Sequence, residues 1–187
     1  MDETCLHAAA PGPGAVKVRV LAGAEARDAV PALAGVLLDC VEGGASVSFM
    51  APFDRGTAEG FWREVAAGVE RGERILLVAE DGEGVLGTVQ LVVQQPPNQP
   101  HRADLSKMLV HSRARRRGIG KALMDAAEDA ARAAGKTLLV LDTASPDAER
   151  LYTRAGWIKV GVIPGYALWP GGGFCDTTFF YKALPSP

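Results

Sequence analysis

The sequence predicts a single α/β domain whose central sheet is mixed, mostly antiparallel and built from six to seven strands, with flanking helices. One sign is a pair of apolar runs on either side of Asp81-Gly82-Glu83-Gly84, which has the pattern of a β-hairpin. The other is a strand-like segment at residues 104–110, followed by an amphipathic helix and then by an unbroken apolar run at 137–141. That order is typical of one parallel strand–helix–strand crossover.

The bulk composition restricts the class of protein. A length of 187 residues suffices for one domain with a hydrophobic core. With 48% apolar and 22% charged residues, the chain has the balance of an ordinary globular protein. Its net charge of −2 offers no overall basic balance, so nucleic acid is not expected as a partner. Residues 1–14, rich in Ala, Pro and Gly, are predicted to form a disordered tail, and residues 15–187 the domain.

The cysteine, histidine and hydropathy patterns predict the redox compartment and bear on metal binding and membrane association. Cys5, Cys40 and Cys175 are odd in number and widely spaced, so they fit neither a disulfide framework nor a zinc site and predict a reducing cytoplasm. The three histidines are isolated, so no metal is expected. No apolar run approaches the length of a membrane span and the N-terminus lacks a signal-peptide pattern, so we expect no membrane partner.

The N-terminal half predicts a strand and two helices. Residues 15–21 alternate apolar and polar side chains, as a strand does. Residues 25–40 have apolar side chains at helical spacing, with Pro31 at the start of the helix or at a kink. Residues 57–71 form a second helix of the same kind. The loop at 43–52 carries three large apolar residues, which either wall a substrate pocket or pack on the core.

The middle of the chain predicts the hairpin and a third strand. Its arms are residues 74–80 and 85–93, joined by the four-residue turn at 81–84. A polar, proline-containing connection at 94–100 ends the second arm, so the third strand starts near Ala103.

A long helix and a buried strand follow. From Ile119, apolar residues recur every three or four positions, Gly135 closes the helix, and polar residues including Glu128 fill its other face. Residues 137–141 show no alternation, so both faces of this strand are predicted to be buried.

The C-terminal part predicts one more helix and two closing strands. Ser145 and Pro146 have the types expected at the N-cap and first position of a helix, which Gly156 ends. Residues 157–163 and 176–184 are predicted strands, joined by a loop rich in Gly and Pro.

A basic loop between the third strand and the long helix predicts an anion site. Its side chains fall within nine positions: Arg113, Arg115, Arg116, Arg117 and Lys121. The free N–H groups of the first helical turn and the helix dipole favour an anion at the same place.

The glycines of this loop exclude two common nucleotide-binding loops. The P-loop spacing is absent. A dinucleotide fingerprint is also excluded, because seven residues separate the strand from Gly118 and Leu123 stands where a third glycine is needed.

The segment Arg115-Arg116-Arg117-Gly118-Ile119-Gly120 has the pattern R-x-x-G-x-G and resembles the GNAT family of acetyl-CoA-dependent N-acetyltransferases. The resemblance implies that backbone N–H groups of this loop bind the pyrophosphate of acetyl-CoA. The glycines permit the close backbone approach, and the three arginines with Lys121 add positive charge. It also implies that the backbone of Leu109 and Val110 pairs with the pantetheine arm like an added strand.

A second segment, Leu151-Tyr152-Thr153-Arg154-Ala155-Gly156-Trp157, is similar to the family motif L-Y-x-x-x-G-[FW] and lies about thirty residues later. The resemblance implies that Tyr152 donates a proton to the leaving thiolate of CoA, for which a phenol protonated at neutral pH is suited. The alternative is a tyrosine that only packs or hydrogen-bonds the cofactor.

Asp104 is the candidate general base. It lies eleven positions before Arg115, the offset of a catalytic glutamate in histone-type members of the family. From Asp104 to Val110 the strand spans about 20 Å, comparable to an extended pantetheine arm. The alternative is a carboxylate paired with Arg102 or Lys107. Asp142, after the buried strand, either orients the substrate amine or bonds the start of the next helix.

The acceptor is expected to be a small-molecule amine. Residues 44–50, 163–168 and 176–182 are similar to the tabtoxin-resistance-type branch of the family, which implies an amino-acid-like toxin and an antibiotic-resistance role. The alternatives are a ribosomal-protein or peptide N-terminus, a non-catalytic acetyl-CoA-binding regulator and, more distantly, a dinucleotide enzyme. The protein is expected to be a monomer or homodimer.

Overall fold

The computed structural model describes residues 15–185, so the predicted tail at 1–14 lies outside the described residues. Within 15–185 the chain forms seven strands and five α-helices. The strands are β1 (Lys17–Val20), β2 (Arg74–Asp81), β3 (Gly84–Val92), β4 (Arg102–Val110), β5 (Leu138–Thr143), β6 (Ile158–Leu168) and β7 (Phe174–Ala183). The helices are α1 (Gly23–Asp28), α2 (Val30–Glu42), α3 (Arg55–Glu70), α4 (Ile119–Ala133) and α5 (Pro146–Arg154).

One sheet contains all seven strands in the order β1-β2-β3-β4-β5-β7-β6. Neighbouring strands are antiparallel except β4 and β5, which α4 connects as a parallel crossover. The predicted fold class is confirmed, including the strand number and the single crossover.

Helices cover the two faces of the sheet unequally. On one face, here called the α3 face, α1 to α3 pack over β2, β3 and β4 through a core that includes Trp62, Leu76 and Leu109. On the other, the α4 face, α4 and α5 pack on a core that includes Leu123 and Phe180. Burial of these apolar side chains supplies the main stabilising free energy.

The N-termini of the helices lie where capping residues and a proline occur in the sequence. The Asp54 carboxylate accepts a hydrogen bond from the Thr57 N–H at 2.8 Å and caps α3, and Ser145 Oγ accepts one from the Ala148 N–H at 3.3 Å and caps α5. The segment 25–40 contains two helices, and α2 starts at Val30 with Pro31 in its first turn, which confirms the alternative in which the helix starts near Pro31.

The predicted four-residue hairpin turn is wrong. Only Gly82 and Glu83 lie between β2 and β3. The Asp81 carboxylate accepts a hydrogen bond from the Glu83 N–H at 3.0 Å, and Gly84 takes a φ of 115°, so both strands extend further into the turn.

The predicted Gly/Pro-rich loop after residue 163 is largely strand. β6 continues through Pro164 and Gly165 to Leu168, because an irregularity in the register with β7 between Ile163 and Ala167 accommodates them. The Gly165 N–H donates to the Asp176 carboxylate at 2.8 Å, which holds the irregular segment.

Two burial predictions are also wrong. Only the α4 face of β5 is buried, through Leu139 and Leu141, whereas Asp142 on the other face is exposed. The cause is that α1 to α3 lie over β2, β3 and β4. Glu128, predicted on the solvent face of α4, is 6% exposed and accepts hydrogen bonds from Trp157 and Lys182.

Candidate active site

β4 and β5 separate within the sheet. They pair only at the start, from Arg102 with Leu138 to Asp104 with Val140. Beyond Asp104, β4 continues for six residues without β5 as a partner, while β5 stays paired with β7. The edge of β4 that follows, including Leu109 and Val110, is therefore open to an added extended chain.

A bulge distorts β4 just after this separation. Its pairing with β3 shifts between Ser106 and Leu109, and Lys107 has a φ of 51°. The bulge directs Lys107 towards Phe49 and Phe61 on the α3 face.

The glycine loop has the backbone of an anion cradle. Gly118 is the N-cap of α4 with a φ of 77° and supplies no side-chain cap, so the first N–H groups of α4 have no capping side chain. Arg116 is left-handed too, at 63°. A Cβ on Gly120 would approach Leu151 to 3.2 Å, so the turn has little room for a side chain. These features fit a bound pyrophosphate.

The basic side chains of the glycine loop differ in the ion pairs and hydrogen bonds that they form within the protein. Arg117 lies 3.5 Å from Asp81, and Lys121 pairs with Asp125 on the next turn of α4. Arg115 donates to the Val110 carbonyl at 3.3 Å and so links the loop to the end of β4. Arg116 is exposed and makes no ion pair among residues 15–185, so its guanidinium is open to an anion.

Tyr152 is a buried phenol. Its ring packs against Trp157 and Phe180, at centroid distances of 6.0 and 5.7 Å. Burial raises the pKa of Tyr152 far above its ordinary value, and the negative charge of Asp142 raises that pKa further. The side chain therefore keeps its proton at every pH near neutrality.

Asp142 lies at the end of β5, on the open part of the α3 face. The buried Thr177 hydroxyl donates to its carboxylate at 2.8 Å and orients it. The charge of Asp142 acts to raise the pKa of both Tyr152 on α5 and Lys107 on β4. Asp142 does not bond the start of α5, which Ser145 caps instead.

Asp104 lies at the narrow end of the gap between β4 and β5. Arg102 donates to one of its carboxylate oxygens at 2.6 Å and Gln95 donates to the other at 3.1 Å. The sequence-based alternative of pairing with Arg102 is therefore present in the structure.

Lys107 is the site residue that the sequence reasoning missed as a functional candidate. A signal exists in the β4 sequence, where strict alternation breaks: two polar residues, Ser106 and Lys107, precede two apolar residues, Met108 and Leu109. Such a doubled step indicates a bulge.

Two distant segments meet above the open face. The Ala51 N–H donates to the Pro170 carbonyl at 2.8 Å, and the Ser46 hydroxyl donates to the Leu168 carbonyl at 3.1 Å. Residues 43–54 are therefore joined to the β6–β7 hairpin, beside the bulge of β4. We call the space bounded by these two segments, Lys107 and Asp142 the acceptor groove.

The described part of the chain shows no metal or membrane element. No group of three or more His, Cys, Asp or Glu side chains within 15–185 could hold a metal ion. No helix in the same range is long and apolar enough to cross a membrane.

The fold and the glycine loop together define an acyltransferase of the acetyltransferase class. The sequence profile described as the Acetyltransferase (GNAT) family matches residues 47–157, more than half of the chain. The chain belongs to this family and carries a GNAT-type N-acetyltransferase domain, a class that takes its acetyl group from acetyl-CoA.

Two relatives agree with this assignment. N-acetyltransferase 8B of Rattus norvegicus is 36% identical over 119 residues, which cover 62% of this chain but only 46% of the rat protein. An uncharacterized N-acetyltransferase in the hisH-hisA intergenic region of Azospirillum brasilense is 32% identical over 143 residues, covering 74% of this chain and 83% of that protein.

Solved structures share the fold. The protein yncA of Salmonella typhimurium, described as a putative acetyltransferase and determined with its cofactor acetyl-CoA, superimposes with a TM-score of 0.75 at 18% identity, covering 92% of this chain and 96% of its own. A ribosomal-protein-alanine N-acetyltransferase from Brucella melitensis superimposes with a TM-score of 0.73 at 25% identity, covering 90% and 99%.

Proposed function

We propose that the protein transfers the acetyl group of acetyl-CoA to the primary amine of a small, amino-acid-like molecule. The observation that supports this proposal is an oriented carboxylate, Asp142, at the end of β5, where β5 has left the edge of β4 unpaired, followed on α5 by the buried, protonated phenol of Tyr152. An amine acceptor needs a group that binds and deprotonates it, and the leaving thiolate needs a proton. The two side chains match these needs.

The proposed binding site for acetyl-CoA uses the residues of β4 and the glycine loop. Leu109 and Val110 offer the unpaired strand edge to the pantetheine arm. The N–H groups of Gly118, Ile119 and Gly120 face the pyrophosphate at the start of α4. Arg115, Arg116, Arg117 and Lys121 supply positive charge around it. When bound, acetyl-CoA supplies the activated acetyl thioester.

Tyr152 acts in this proposal as the general acid. Its raised pKa keeps the phenol protonated, so the hydroxyl can donate a hydrogen bond to the sulfur as the thioester bond breaks. A thiolate is a weaker base than this tyrosinate, so a proton that the phenol gives to the sulfur is replaced by the proton that the attacking amine loses. The aromatic contacts with Trp157 and Phe180 hold the ring in one orientation.

The base is one of two carboxylates. A lysine-type amine with a pKa near 10.4 costs about 4.6 kcal/mol to deprotonate at pH 7, so a positioned base is valuable. Asp142 is exposed to the acceptor groove and oriented by Thr177. Asp104, the base predicted from the sequence, has both oxygens engaged by Arg102 and Gln95. Geometry favours Asp142 for direct contact with the amine and Asp104 for action through a water molecule.

The acceptor groove favours a small molecule over a protein substrate. Residues 43–54 and the β6–β7 hairpin are joined across it by two hydrogen bonds. This link restricts access for a folded polypeptide, which supports a small acceptor. A role in resistance to a toxin or antibiotic of that class follows from the same proposal.

The second candidate is acetylation of a peptide or ribosomal-protein N-terminus. The 25% identical structure from Brucella melitensis favours it, because that protein is a ribosomal-protein-alanine N-acetyltransferase. An α-amine with a pKa near 8 costs only about 1.4 kcal/mol to deprotonate at pH 7, so such an acceptor depends less on a base.

A screen for acceptors separates these functions. The purified protein is incubated with acetyl-CoA and with free amino acids, amino-acid-like toxins or short peptides, and thiol release is measured together with the mass of the product. We expect turnover with free amino acids or toxins. Turnover with peptides alone would favour the second candidate. Binding of acetyl-CoA without turnover on any amine would point to a non-catalytic regulator.

A further inference from the structure

Lys107 occupies a position that the chemistry proposed above does not use. The bulge of β4 carries its ammonium group into a setting of two phenyl rings and one hydroxyl. Nζ lies 5.8 Å from the ring centroid of Phe49 and 5.5 Å from that of Phe61, and it donates to Ser48 Oγ at 3.0 Å. These three neighbours belong to residues 43–54 and α3, which bound the acceptor groove.

Lys107 has no ion-pair partner in the described part of the chain. Among residues 15–185, no carboxylate lies within salt-bridge distance of Nζ. Burial lowers the pKa of Lys107, Asp142 acts in the opposite direction from beyond contact distance, and Arg74 adds to the lowering. The aromatic rings compensate only part of the lost hydration of the ammonium group.

We propose that Lys107 binds the carboxylate of the acceptor and thereby selects amino-acid-type substrates. This inference rests on the proposed function, in which the amine of the same acceptor is held at Asp142. Lys107 on β4 and Asp142 on β5 stand on either side of the gap between the two strands. A zwitterionic acceptor presents an anion and a cation to two side chains of the opposite charges.

A carboxylate fits this position better than a phosphate group. Nζ brings one positive charge, and the Ser48 hydroxyl, which accepts the hydrogen bond from Nζ, still has its own proton to donate. One charge and one neutral donor match the single charge and two oxygens of a carboxylate. The second charge of a phosphate dianion would face the rings of Phe49 and Phe61 without a partner.

The same lysine also disfavours acceptors that lack an acidic group. A simple alkylamine enters as an ammonium ion, and its charge is then repelled by Lys107 without any compensating contact. Selection therefore combines attraction of the carboxylate with repulsion of a bare cation.

The test compares acceptors that differ only in the carboxylate. Initial rates are measured for each of the twenty amino acids, its carboxamide and its decarboxylated amine, with wild type, Lys107→Met, Lys107→Gln and Lys107→Arg. The matched control is Lys17→Met, which removes an exposed lysine from β1, an edge strand three positions away from β4 in the sheet. Thermal denaturation and acetyl-CoA binding identify any variant that has lost its fold.

We expect Lys107→Met and Lys107→Gln to lower kcat/KM for the free amino acids about ten- to hundredfold, mainly through KM. In both variants, the ratio of kcat/KM for the amino acid to kcat/KM for its carboxamide should fall to near unity. Lys107→Arg should keep most of the wild-type ratio. Equal losses for acid and amide in folded variants would overturn the inference. A wild-type enzyme that acetylates carboxyl-free amines as well as amino acids would overturn it too, with the proposed function intact. No turnover on any small amine would overturn both.

Discussion

Tyr152 and Asp142 are electrostatically coupled although they come from different elements of the fold. Burial raises the pKa of Tyr152, and the carboxylate of Asp142, at the end of β5, raises it further. A group with a raised pKa holds its proton to higher pH than free tyrosine does. The pair thus combines a carboxylate with a phenol that keeps its proton at neutral pH, and a base and an acid are the two roles that the reaction requires.

The first prediction concerns the proton on Tyr152. Tyr152→Phe removes the hydroxyl and keeps the ring that packs on Trp157 and Phe180. We expect kcat to fall about a hundredfold, because a positioned general acid contributes roughly 10²- to 10⁴-fold. Steady-state kinetics with a saturating acceptor measures the loss, and the Kd for acetyl-CoA should change less than threefold (a bound set by roughly 0.6 kcal/mol).

Tyr166→Phe is the matched control for loss of an exposed phenolic hydroxyl, and because Tyr166 lies on the hairpin that bounds the acceptor groove, the comparison is made on kcat at saturating acceptor and not on KM. Its kcat should stay near the wild-type value. In the wild-type enzyme, the alkaline limb of kcat should not appear at the ordinary tyrosine pKa near 10, because the pKa of Tyr152 lies above that value. A limb near that ordinary value that persists in Tyr166→Phe and vanishes in Tyr152→Phe would contradict the assigned pKa direction.

The second prediction distinguishes the two carboxylates. Asp142→Asn removes the charge that faces the acceptor groove, and Asp104→Asn removes the charge held by Arg102 and Gln95. We expect Asp142→Asn to lower kcat/KM for the acceptor by roughly 10²-fold and Asp104→Asn by less, because in the proposed arrangement only Asp142 contacts the amine directly. If Asp104→Asn lowers kcat/KM more than Asp142→Asn does, Asp104 is the principal base.

Asp142→Asn has a second, independent readout. Loss of the negative charge should lower the pKa of Tyr152, although burial keeps it above the ordinary value. Titration followed by the ultraviolet absorbance of tyrosinate measures this shift, with Tyr152→Phe identifying the signal. An unchanged titration would show that the two side chains do not interact.

The third prediction concerns the glycine loop. Gly118 and Gly135 stand at the two ends of α4 with φ values of 77° and 70°, and a Cβ on either would meet no atom within 4 Å. Replacement by alanine should therefore cost about 1 kcal/mol of stability at both positions, through the left-handed conformation alone. Only Gly118→Ala should also raise KM for acetyl-CoA, several-fold or more, because only Gly118 adjoins the proposed pyrophosphate site.

The comparison of these two variants is internally controlled. Chemical denaturation measures the stability loss, and KM at saturating acceptor measures acetyl-CoA binding. Equal effects of Gly118→Ala and Gly135→Ala on KM would place the pyrophosphate elsewhere.

The fourth prediction concerns the buried ion pair below the site. Lys182 Nζ donates to both carboxylate oxygens of Glu128 at 2.7 Å, and the Trp157 indole N–H donates to one of them at 3.1 Å. Glu128→Gln leaves the ammonium group without a counter-charge. We expect a loss of about 2–3 kcal/mol in the free energy of unfolding, below the usual cost for a fully buried pair because Lys182 is partly exposed.

Asp129→Asn is the control for this pair, because its carboxylate is exposed and, within residues 15–185, forms its one ion pair with Arg132 at 2.7 Å. It should change the free energy of unfolding by about 0.5 kcal/mol or less. If Glu128→Gln proves as mild as Asp129→Asn in urea denaturation, the pair does not stabilise the fold.

Much of the architecture could be predicted because its causes are local. The glycines at each end of α4, the cap at Ser145 and the apolar stripe of the long helix each act within a few residues. The glycine loop and the tyrosine motif are equally local, which is why the family and the acetyl-CoA class were evident before the fold. The catalytic roles of Asp104, Asp142 and Tyr152 remain predictions with the tests given above.

Other features depend on residues far apart in the chain, and no local pattern contains them. Glu128 can be buried because Lys182 on β7 and Trp157, between α5 and β6, donate hydrogen bonds to its carboxylate. Asp142 is exposed because α1 to α3 lie over β2, β3 and β4. Lys107 lies over the ring of Phe61 because a bulge in β4 turns its side chain towards α3. Short-range backbone preferences therefore set the elements and the cofactor loop, whereas the acceptor groove arises from packing between segments more than a hundred residues apart, as Ser46 and Leu168 are.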